Sequence, residues 1–151
     1  MRKRGSPVIE VAFHPETEHY FDSIDTTFPG FKQELLESFT DYIASGREVV
    51  PDCFGNDAPY TQPYGAFRAG LMHIHIAVPP TIFPKKRPQA DRKCPLNAPD
   101  QDAALVYVQG ELEEDHYCLL AILYPNAHQQ ASDNRTIPYL ARLAQDFKDR
   151  H

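Results

Sequence analysis

The segment of residues 102–124 constrains the fold more than any other part of this chain. Two apolar runs rich in β-branched and aromatic residues, 103–108 and 117–124, flank a connector that carries Gly110 and four acidic residues. This arrangement is typical of a β-hairpin with a solvated loop. The second run is apolar at nearly every position, so we expect both of its faces to be covered, at least one of them by helix. The rest of the chain is expected to pack onto this strand pair.

Length and composition predict a single domain. The chain has 151 residues, of which 42% are apolar, and this is enough for one hydrophobic core. It contains no uncharged apolar run of about 18 residues, and its basic start leads into no apolar segment, so neither a membrane span nor a secretion signal is predicted. We therefore expect a cytoplasmic protein formed by residues 1–151, with an extended N-terminal segment at 1–28.

The charge of the chain argues against a general nucleic-acid binder. A formal net charge of −6 gives no basic footprint along the sequence, so we expect no direct DNA binding and only local contact with RNA. Basic residues cluster once, at Lys85, Lys86, Arg87, Arg92 and Lys93. Cys53, Cys94 and Cys118 are odd in number and lack CxxC spacing, which favours buried or idle thiols over a disulfide framework or a zinc ribbon.

Two segments carry the three- and four-residue apolar spacing of amphipathic helices. The first covers residues 29–45 and ends before Gly46. Its apolar face consists of Phe31, Leu35, Leu36, Phe39, Tyr42 and Ile43. The second is the last helix of the chain, with Pro138 in its first turn. Its apolar stripe consists of Ile137, Leu140, Ala141, Ala144 and Phe147. A helical turn at 16–24 and a short helix within 125–134 are also predicted.

The remaining segments complete an α+β pattern. Residues 8–13 are predicted to form a first strand, and residues 71–78 alternate, with Met72, Ile74, Ile76 and Val78 facing the core. Prolines and glycines interrupt residues 47–70, which predicts an ordered loop held by aromatic side chains. The Pro-rich basic segment 79–101 is predicted to be a mobile surface loop. Together these elements predict a small antiparallel β-sheet with N-terminal and C-terminal helices packed on one face.

The alternation places His73 and His75 on the face of their strand opposite the apolar one. Strand rise puts them roughly 6–7 Å apart along the chain. Two imidazoles at this spacing can act as general acid and base, because the ordinary pKa of histidine lies near neutrality. They can also serve as two ligands of a metal ion. A third possibility is that they merely fill a half-exposed sheet face.

Polar residues on the flanking segments are further candidates. Asp57 and Tyr60 lie in residues 51–60, where loop side chains often carry function, although turn formation explains the aspartate equally well. Arg68 is a phosphate-binding candidate or a lone surface arginine. His128 and Arg135 lie near the start of the last helix, where free N–H groups can bind an anion, while Asp133, Asn134 or Thr136 can cap that helix. The chain contains no P-loop, GxGxxG, GxSxG or HExxH motif.

Taken together, these stretches resemble the YafO family of bacterial type II toxins. The resemblance covers roughly residues 39–150 and keeps the order and spacing of the family. The matching stretches are residues 51–60, 73–77, 105–110, 119–123, and His128 with Asp133 and Asn134.

The resemblance implies a ribosome-dependent endoribonuclease that cleaves mRNA and inhibits translation. It also implies a cognate antitoxin as partner, a fold similar to RelE-like toxins, and no cofactor or metal. Metal-free RNA cleavage needs a base for the 2′-OH proton, an acid for the departing 5′-oxygen and cationic groups for the phosphorane. His73 and His75 are the first candidates for these roles. The further candidates are Asp57, Tyr60, Arg68 and His128.

Two other readings of the sequence stay open at this point. One is a metal-dependent hydrolase that uses His73, His75 and a carboxylate. The other is a non-catalytic module whose aromatic loop (47–70) and basic loop (79–101) bind a protein or RNA partner.

Overall fold

A five-stranded mixed sheet runs through the middle of the molecule. The computed structural model describes residues 8–151, so the basic start of the predicted N-terminal segment lies outside the described residues. The strands stand in the order β1-β5-β4-β3-β2. They are β1 (Glu10–Phe13), β2 (Phe54–Pro59), β3 (Met72–Ile76), β4 (Ala103–Gln109) and β5 (His116–Leu123).

Within the described residues 8–151, five α-helices pack around this sheet. They are α1 (His19–Thr27), α2 (Phe31–Ala44), α3 (Tyr64–Arg68), α4 (Ala127–Ser132) and α5 (Thr136–Arg150). The predicted long helix at 29–45 is confirmed as α2, and Gly46 follows it with a φ of +71°, a conformation that favours glycine. The short and the last predicted helices are confirmed as α4 and α5. No helix within residues 8–151 is long and apolar enough to cross a membrane.

The predicted hairpin is confirmed, and both of its faces are buried. β4 and β5 pair antiparallel at the centre of the sheet. Leu119 of β5 joins the core under α1 and α2, while its neighbour Leu120 joins the core under α3, α4 and α5. The α+β class is therefore confirmed, but the expectation that all helices cover one face is wrong. Each face of the hairpin is apolar and needs a cover, and each end of the chain supplies one.

The first strand departs from the antiparallel pairing expected from the sequence. β1 lies parallel to β5, with Glu10 opposite His116 and Phe13 opposite Leu119. The other strand pairs are antiparallel. Apolar alternation identifies a strand and its buried face but carries no information about the direction of its neighbour, so the sequence alone does not show this parallel edge.

Residues 47–70 do not form the irregular loop that was predicted. They contain the edge strand β2 and the short helix α3. The pairing of β2 with β3 is irregular, because its register shifts between Phe54 and Asp57, and Pro59 ends the strand. Prolines and bulges are tolerated on edge strands, where one side of the backbone has no partner strand. The predicted role of the aromatic residues holds at Phe54, which is fully buried.

The loop of residues 79–101 is anchored to the edge strand, which differs from the mobile surface loop predicted. Arg92 is buried, and its guanidinium donates hydrogen bonds to the carbonyl oxygens of Arg87 (3.0 Å), Phe54 (3.3 Å) and Lys85 (3.3 Å). The carbonyl of Arg92 in turn accepts a hydrogen bond from the backbone N–H of Asn56 at 2.8 Å. One member of the basic cluster therefore holds the loop, and the other members remain exposed.

All three cysteines are free thiols. Cys94 and Cys118 are buried, and Cys94 Sγ lies 3.3 Å from the carbonyl oxygen of Ile76 and 3.5 Å from that of Ala103. Burial raises the pKa of Cys53 and of Cys118 to about 12 and also raises the pKa of Cys94. Thiols with raised pKa values are poor nucleophiles, so the cysteines contribute packing and hydrogen bonds.

Candidate active site

A small cavity lies beside β3 on the face of the sheet covered by α4. It contains four of the predicted site residues, namely Tyr60, His73, His75 and His128, together with Asp102. The remaining lining residues are Ala103, Ala104, Ala127 and Ala131. Its volume of about 40 Å³ is enough for only a few water molecules. A larger substrate would therefore present one reacting group to the cavity and bind mainly outside it.

The alternation of β3 brings the first two histidines to this cavity. Ile74 and Ile76 point into the core under α1 and α2, as predicted, so His73 and His75 point to the other face. There they stand beside Val106 and Ala104 of β4. His73 is half-buried, whereas His75 is buried, so the expected half-exposed face applies to His73 alone.

His75 is held in one tautomer by the backbone. Its Nδ1 accepts a hydrogen bond from the N–H of Cys94 at 2.9 Å, so the proton of the neutral ring sits on Nε2. Burial, followed by the neighbouring charges of His73 and His128, lowers the pKa of His75 to about 4. His75 is therefore uncharged at neutral pH and offers an Nε2–H donor.

His128 is held in the opposite tautomer by a carboxylate. Asp102, just before β4, is only 2% exposed and accepts hydrogen bonds from the backbone N–H of His128 and from its ring Nδ1, both at 2.9 Å. Because an ionised carboxylate only accepts, Nδ1 carries the proton and Nε2 keeps its lone pair. The side chain of His128 is 41% exposed, which leaves this nitrogen within reach of a substrate.

His73 completes a row of three imidazole rings. The ring centroids of His73 and His75 are 5.9 Å apart, and those of His75 and His128 are 5.6 Å apart. His73 stacks on Tyr60 at 4.0 Å, and its buried Nδ1 has no hydrogen-bond partner. Burial lowers the pKa of His73 and raises that of Tyr60. At neutral pH the cavity thus contains an uncharged imidazole and a protonated phenol side by side.

Asp57 lies on the other face of the sheet. Its carboxylate accepts hydrogen bonds from the hydroxyls of Tyr42 and Tyr107, each at 2.7 Å, and from Arg47 Nε at 3.3 Å. Tyr42 and Tyr107 belong to the core under α1 and α2. The structure therefore does not bring Asp57 to the histidine cavity. Its carboxylate is occupied by donors of the protein itself.

Arg68 and the residues before α5 also lie outside the cavity. Arg68 is exposed at the end of α3 and lines a separate open groove with Pro138 and Arg142. The Asp133 carboxylate accepts a hydrogen bond from the backbone N–H of Arg135 at 2.8 Å. Arg135 occupies the N-cap position of α5 and no side-chain capping hydrogen bond is made there, so the structure does not confirm Asp133, Asn134 or Thr136 as the cap.

Two features of the cavity were not predicted from the sequence. Asp102 was treated only as the boundary of the hairpin, although an aspartate beside a fully buried strand is rarely left without a partner. Lys93, from the loop of residues 79–101, is close enough to His75 that its charge contributes to lowering the pKa of that ring. This lysine brings part of the basic cluster to the site.

The geometry does not favour the metal-hydrolase reading. In the described part of the chain, one group of three metal-ligating side chains has ligand atoms within 4.8 Å of one another, and it consists of Glu113, His116 and His151. That group lies at the loop end of the hairpin, whereas Asp102 and the cavity lie at the opposite end. His73 and His75 do not converge with a third ligand at that spacing.

Comparison with known proteins identifies a family whose match includes the residues of the cavity. The family described as toxin YafO of type II toxin-antitoxin systems matches residues 40–149. A curated relative, the mRNA interferase toxin YafO of Escherichia coli strain K12, is 36% identical over 123 residues, which cover 78% of this chain and 88% of the relative. The resemblance seen in the sequence is thereby confirmed. No solved structure matches the chain, so the likeness to RelE-like toxins stays a prediction.

Proposed function

The chain belongs to the YafO family of type II toxins, and we propose that it cleaves mRNA with the histidine cavity as its active site. The observation that carries this assignment is the pair of oppositely held imidazoles. His128 presents a free Nε2 lone pair because Asp102 occupies its Nδ1–H, and His75 presents an Nε2–H because Cys94 occupies its Nδ1. One ring can accept a proton while the next donates a hydrogen bond.

The proposed reaction is metal-free transesterification at an RNA phosphate. The 2′-oxygen attacks the adjacent phosphorus, so the 2′-O–P bond forms and the P–O5′ bond breaks. The products are a 2′,3′-cyclic phosphate and a free 5′-hydroxyl end. The reaction needs a base for the 2′-OH proton, a proton for the departing oxygen and donors for the charged phosphorane.

We assign the base to His128. Its Nε2 takes the 2′-OH proton, and Asp102, in contact with Nδ1, stabilises the imidazolium that forms. The partial exposure of the ring lets an RNA strand approach it from outside the cavity. Asp102 acts as a positioning residue, because it touches His128 and lies too deep to meet the substrate itself.

The two rings of β3 take the remaining roles. His75 stands between His73 and His128, so its Nε2–H can donate to a non-bridging oxygen of a phosphate that the outer rings flank. A bound phosphate raises the pKa of an imidazole that it contacts. His73 can therefore take up a proton when RNA binds and give it to the 5′-oxygen. Tyr60 fixes the plane of His73 by stacking.

Binding of the RNA is proposed to depend on the ribosome. A net charge of −6 gives the free protein little affinity for RNA, but a ribosome that holds the message in place removes that requirement. Three exposed members of the basic cluster, Lys85, Lys86 and Arg87, and Lys93 beside His75 supply local contacts. Type II systems pair a toxin with an antitoxin, so we propose that a cognate antitoxin neutralises this chain in the cytoplasm.

Expression from a tightly controlled promoter, followed by mapping of RNA ends, tests the proposal. We expect growth arrest, cleavage within translated messages and 5′-hydroxyl ends at the cuts. His128→Ala should remove the cuts, whereas His19→Ala, which changes an exposed imidazole on α1, should leave them unchanged. Growth arrest with intact messages would instead favour the non-catalytic binding module. Identical cuts from the wild type and His128→Ala would refute the assignment of the base.

A further inference from the structure

A second cluster of histidines lies where the β4–β5 loop meets the end of α5. Glu113 of the loop, His116 at the start of β5 and His151 after α5 place their ligand atoms within 4.8 Å of one another. Glu113 Oε1 is 2.9 Å from His151 Nδ1, and Glu113 Oε2 is 3.4 Å from His116 Nε2. The two imidazole rings stack with their centroids 5.2 Å apart.

We propose that these three side chains bind a divalent transition metal of the zinc class. Two imidazole nitrogens and one carboxylate form a donor set typical of Zn²⁺ and its first-row neighbours. A tetrahedral ion with bonds of about 2.0–2.1 Å holds its ligand atoms about 3.3 Å apart. Glu113 reaches the two imidazoles at 2.9 and 3.4 Å through different oxygen atoms, and the three ligand atoms lie within 4.8 Å of one another, so side-chain rotations are enough to bring them to this spacing.

The backbone holds the two segments together independently of these side chains. The N–H groups of Leu112 and Glu113 both donate to the carbonyl oxygen of His151, the first at 2.9 Å. Gly110 permits this approach, because a Cβ at that position would lie 2.3 Å from the carbonyl oxygen of Glu113 and 3.2 Å from His151 Cβ. The ligands therefore stand on a preorganised frame, which lowers the entropic cost of binding an ion.

The environment of His116 supplies a separate argument for a metal. Its Nδ1 faces the carboxylate of Glu10 at 3.4 Å, while its Nε2 faces Glu113. A ligating histidine almost always gives its other ring nitrogen to a carboxylate, carbonyl or water, which fixes the tautomer and raises its basicity. Glu10 stands in that position. Asp115 Oδ1 lies 4.0 Å from His116 Nε2 and is a candidate fourth ligand.

The ion would fasten the hairpin loop to the last helix. Glu113 and His116 belong to the hairpin, and His151 follows α5, so one ion would join segments that are distant in the chain. The site is separate from the histidine cavity and from the proposed cleavage, and its role would be structural. A ligand that binds only the folded state stabilises it by RT ln(1 + [L]/Kd), so the melting temperature rises with the concentration of the free ion.

Titration of Zn²⁺ alone into the metal-free full-length chain tests this proposal. We expect one equivalent to bind and the melting temperature to rise with zinc concentration. Glu113→Gln keeps the size of the side chain and both backbone hydrogen bonds, and it should weaken binding at least tenfold, as should His151→Ala. Glu10→Gln should weaken binding by about 10–100-fold through its effect on His116.

His19→Ala is the matched control, because it removes an exposed imidazole outside the cluster and should bind zinc like the wild type. A tetrahedral absorption spectrum after substitution with Co²⁺ should disappear in Glu113→Gln and persist in His19→Ala. The proposal is overturned if the wild type binds no zinc. It is also overturned if both cluster variants bind as tightly as the wild type, since the ion would then lie elsewhere.

Discussion

Two aspartates with largely buried side chains, on opposite faces of one sheet, contrast a carboxylate bound by the protein's own donors with one that we propose takes part in the reaction. Asp57 accepts hydrogen bonds from two tyrosine hydroxyls and an arginine, and these donors are further hydrogen-bonded to each other and to Gln89. Asp102 accepts from His128, whose second ring nitrogen remains free and partly exposed. Both carboxylates are satisfied. The difference lies in the residue that donates to each carboxylate. His128, which donates to Asp102, keeps a free ring nitrogen that can react with a substrate.

The same contrast extends to the surroundings of each aspartate. Around Asp57, the pKa of Tyr42 is raised to about 12, chiefly by burial. The Tyr42 hydroxyl therefore stays protonated and donates to the carboxylate of Asp57. Around Asp102, the neighbouring rings of His73 and His75 have lowered pKa values, and His73 Nδ1 has no partner. Unpaired buried polar atoms are costly and rare, and an active site is one place where they persist.

The largest expected effect comes from Asp102→Asn. Asparagine keeps the shape but can present its NH₂ group to Nδ1 and so favour the wrong tautomer of His128. We expect mRNA cleavage to fall by at least about 10²-fold, or roughly 3 kcal/mol of transition-state stabilisation. Cleavage assays on translated message measure this loss. Unchanged cleavage by a folded Asp102→Asn protein would remove the distinction between the two aspartates.

Asp57→Asn is the matched change on the other face. The amide would point an NH₂ group at a hydroxyl or guanidinium that donates to the carboxylate, so we expect the free energy of unfolding to fall by about 1–3 kcal/mol. Cleavage per folded molecule should stay at the wild-type level. Urea unfolding and the same cleavage assay decide this together. A loss of cleavage without a loss of stability would return Asp57 to the list of catalytic candidates.

The pH dependence of stability gives a third, smaller effect. Folding lowers the pKa of His75 from 6.5 to about 4, so between these values the unfolded chain binds a proton that the folded chain does not. The contribution of His75 to the free energy of unfolding should therefore be constant above about pH 6.5 and fall as the pH drops towards 4.

His75→Asn isolates this contribution. Asn Oδ1 can still accept the N–H of Cys94, but the residue no longer titrates. We expect the variant to lose about 1–2 kcal/mol less than the wild type between pH 6.5 and pH 4, after allowance for partial solvent screening. Parallel stability curves for the two proteins would show that His75 is not a source of the pH dependence.

The smallest expected effect is that of Lys86 in the loop at residues 79–101, with the buried Arg92 of the same loop as its contrast. Lys86 is exposed, so Lys86→Ala should change the free energy of unfolding by less than about 0.5 kcal/mol. Arg92→Ala should cost about 1–3 kcal/mol, because buried carbonyls lose their donors. Thermal melting of both variants measures the difference. Equal losses would mean that Lys86 also packs against the protein.

Periodicity made much of this fold predictable. The hairpin and α2 repeat their apolar residues clearly at strand and helix spacing, and each forms where the pattern indicates. The edge strand β2 was missed because glycine and proline interrupt it, and an edge strand needs no full set of backbone partners. The parallel direction of β1 was equally inaccessible, since it depends on a strand more than one hundred positions away.

The candidate site was predictable only in part, for a related reason. Alternation placed His73 and His75 on one face, and the positions of Tyr60 and His128 in the flanking segments made them candidates before the resemblance supported them. The sequence could not show the face of the sheet to which Asp57 points. The register of β2 shifts between Phe54 and Asp57, and a shift of one residue moves a side chain to the opposite face. The role of Asp102 could not be predicted because its hydrogen-bond partner, His128, lies 26 positions later in the chain, in α4, which follows the hairpin.

The parallel pairing of β1 with β5 also determines when during synthesis the molecule can assemble. Residues 10–13 emerge early but have to wait for residues 116–119 before they gain a strand partner. Pairings of such long sequence separation form slowly, because chain entropy is lost before contacts compensate for it. His128 is made later still. A ribosome that is translating this toxin therefore carries a nascent chain that has neither its complete sheet nor its proposed base until residues 116–128 have been added.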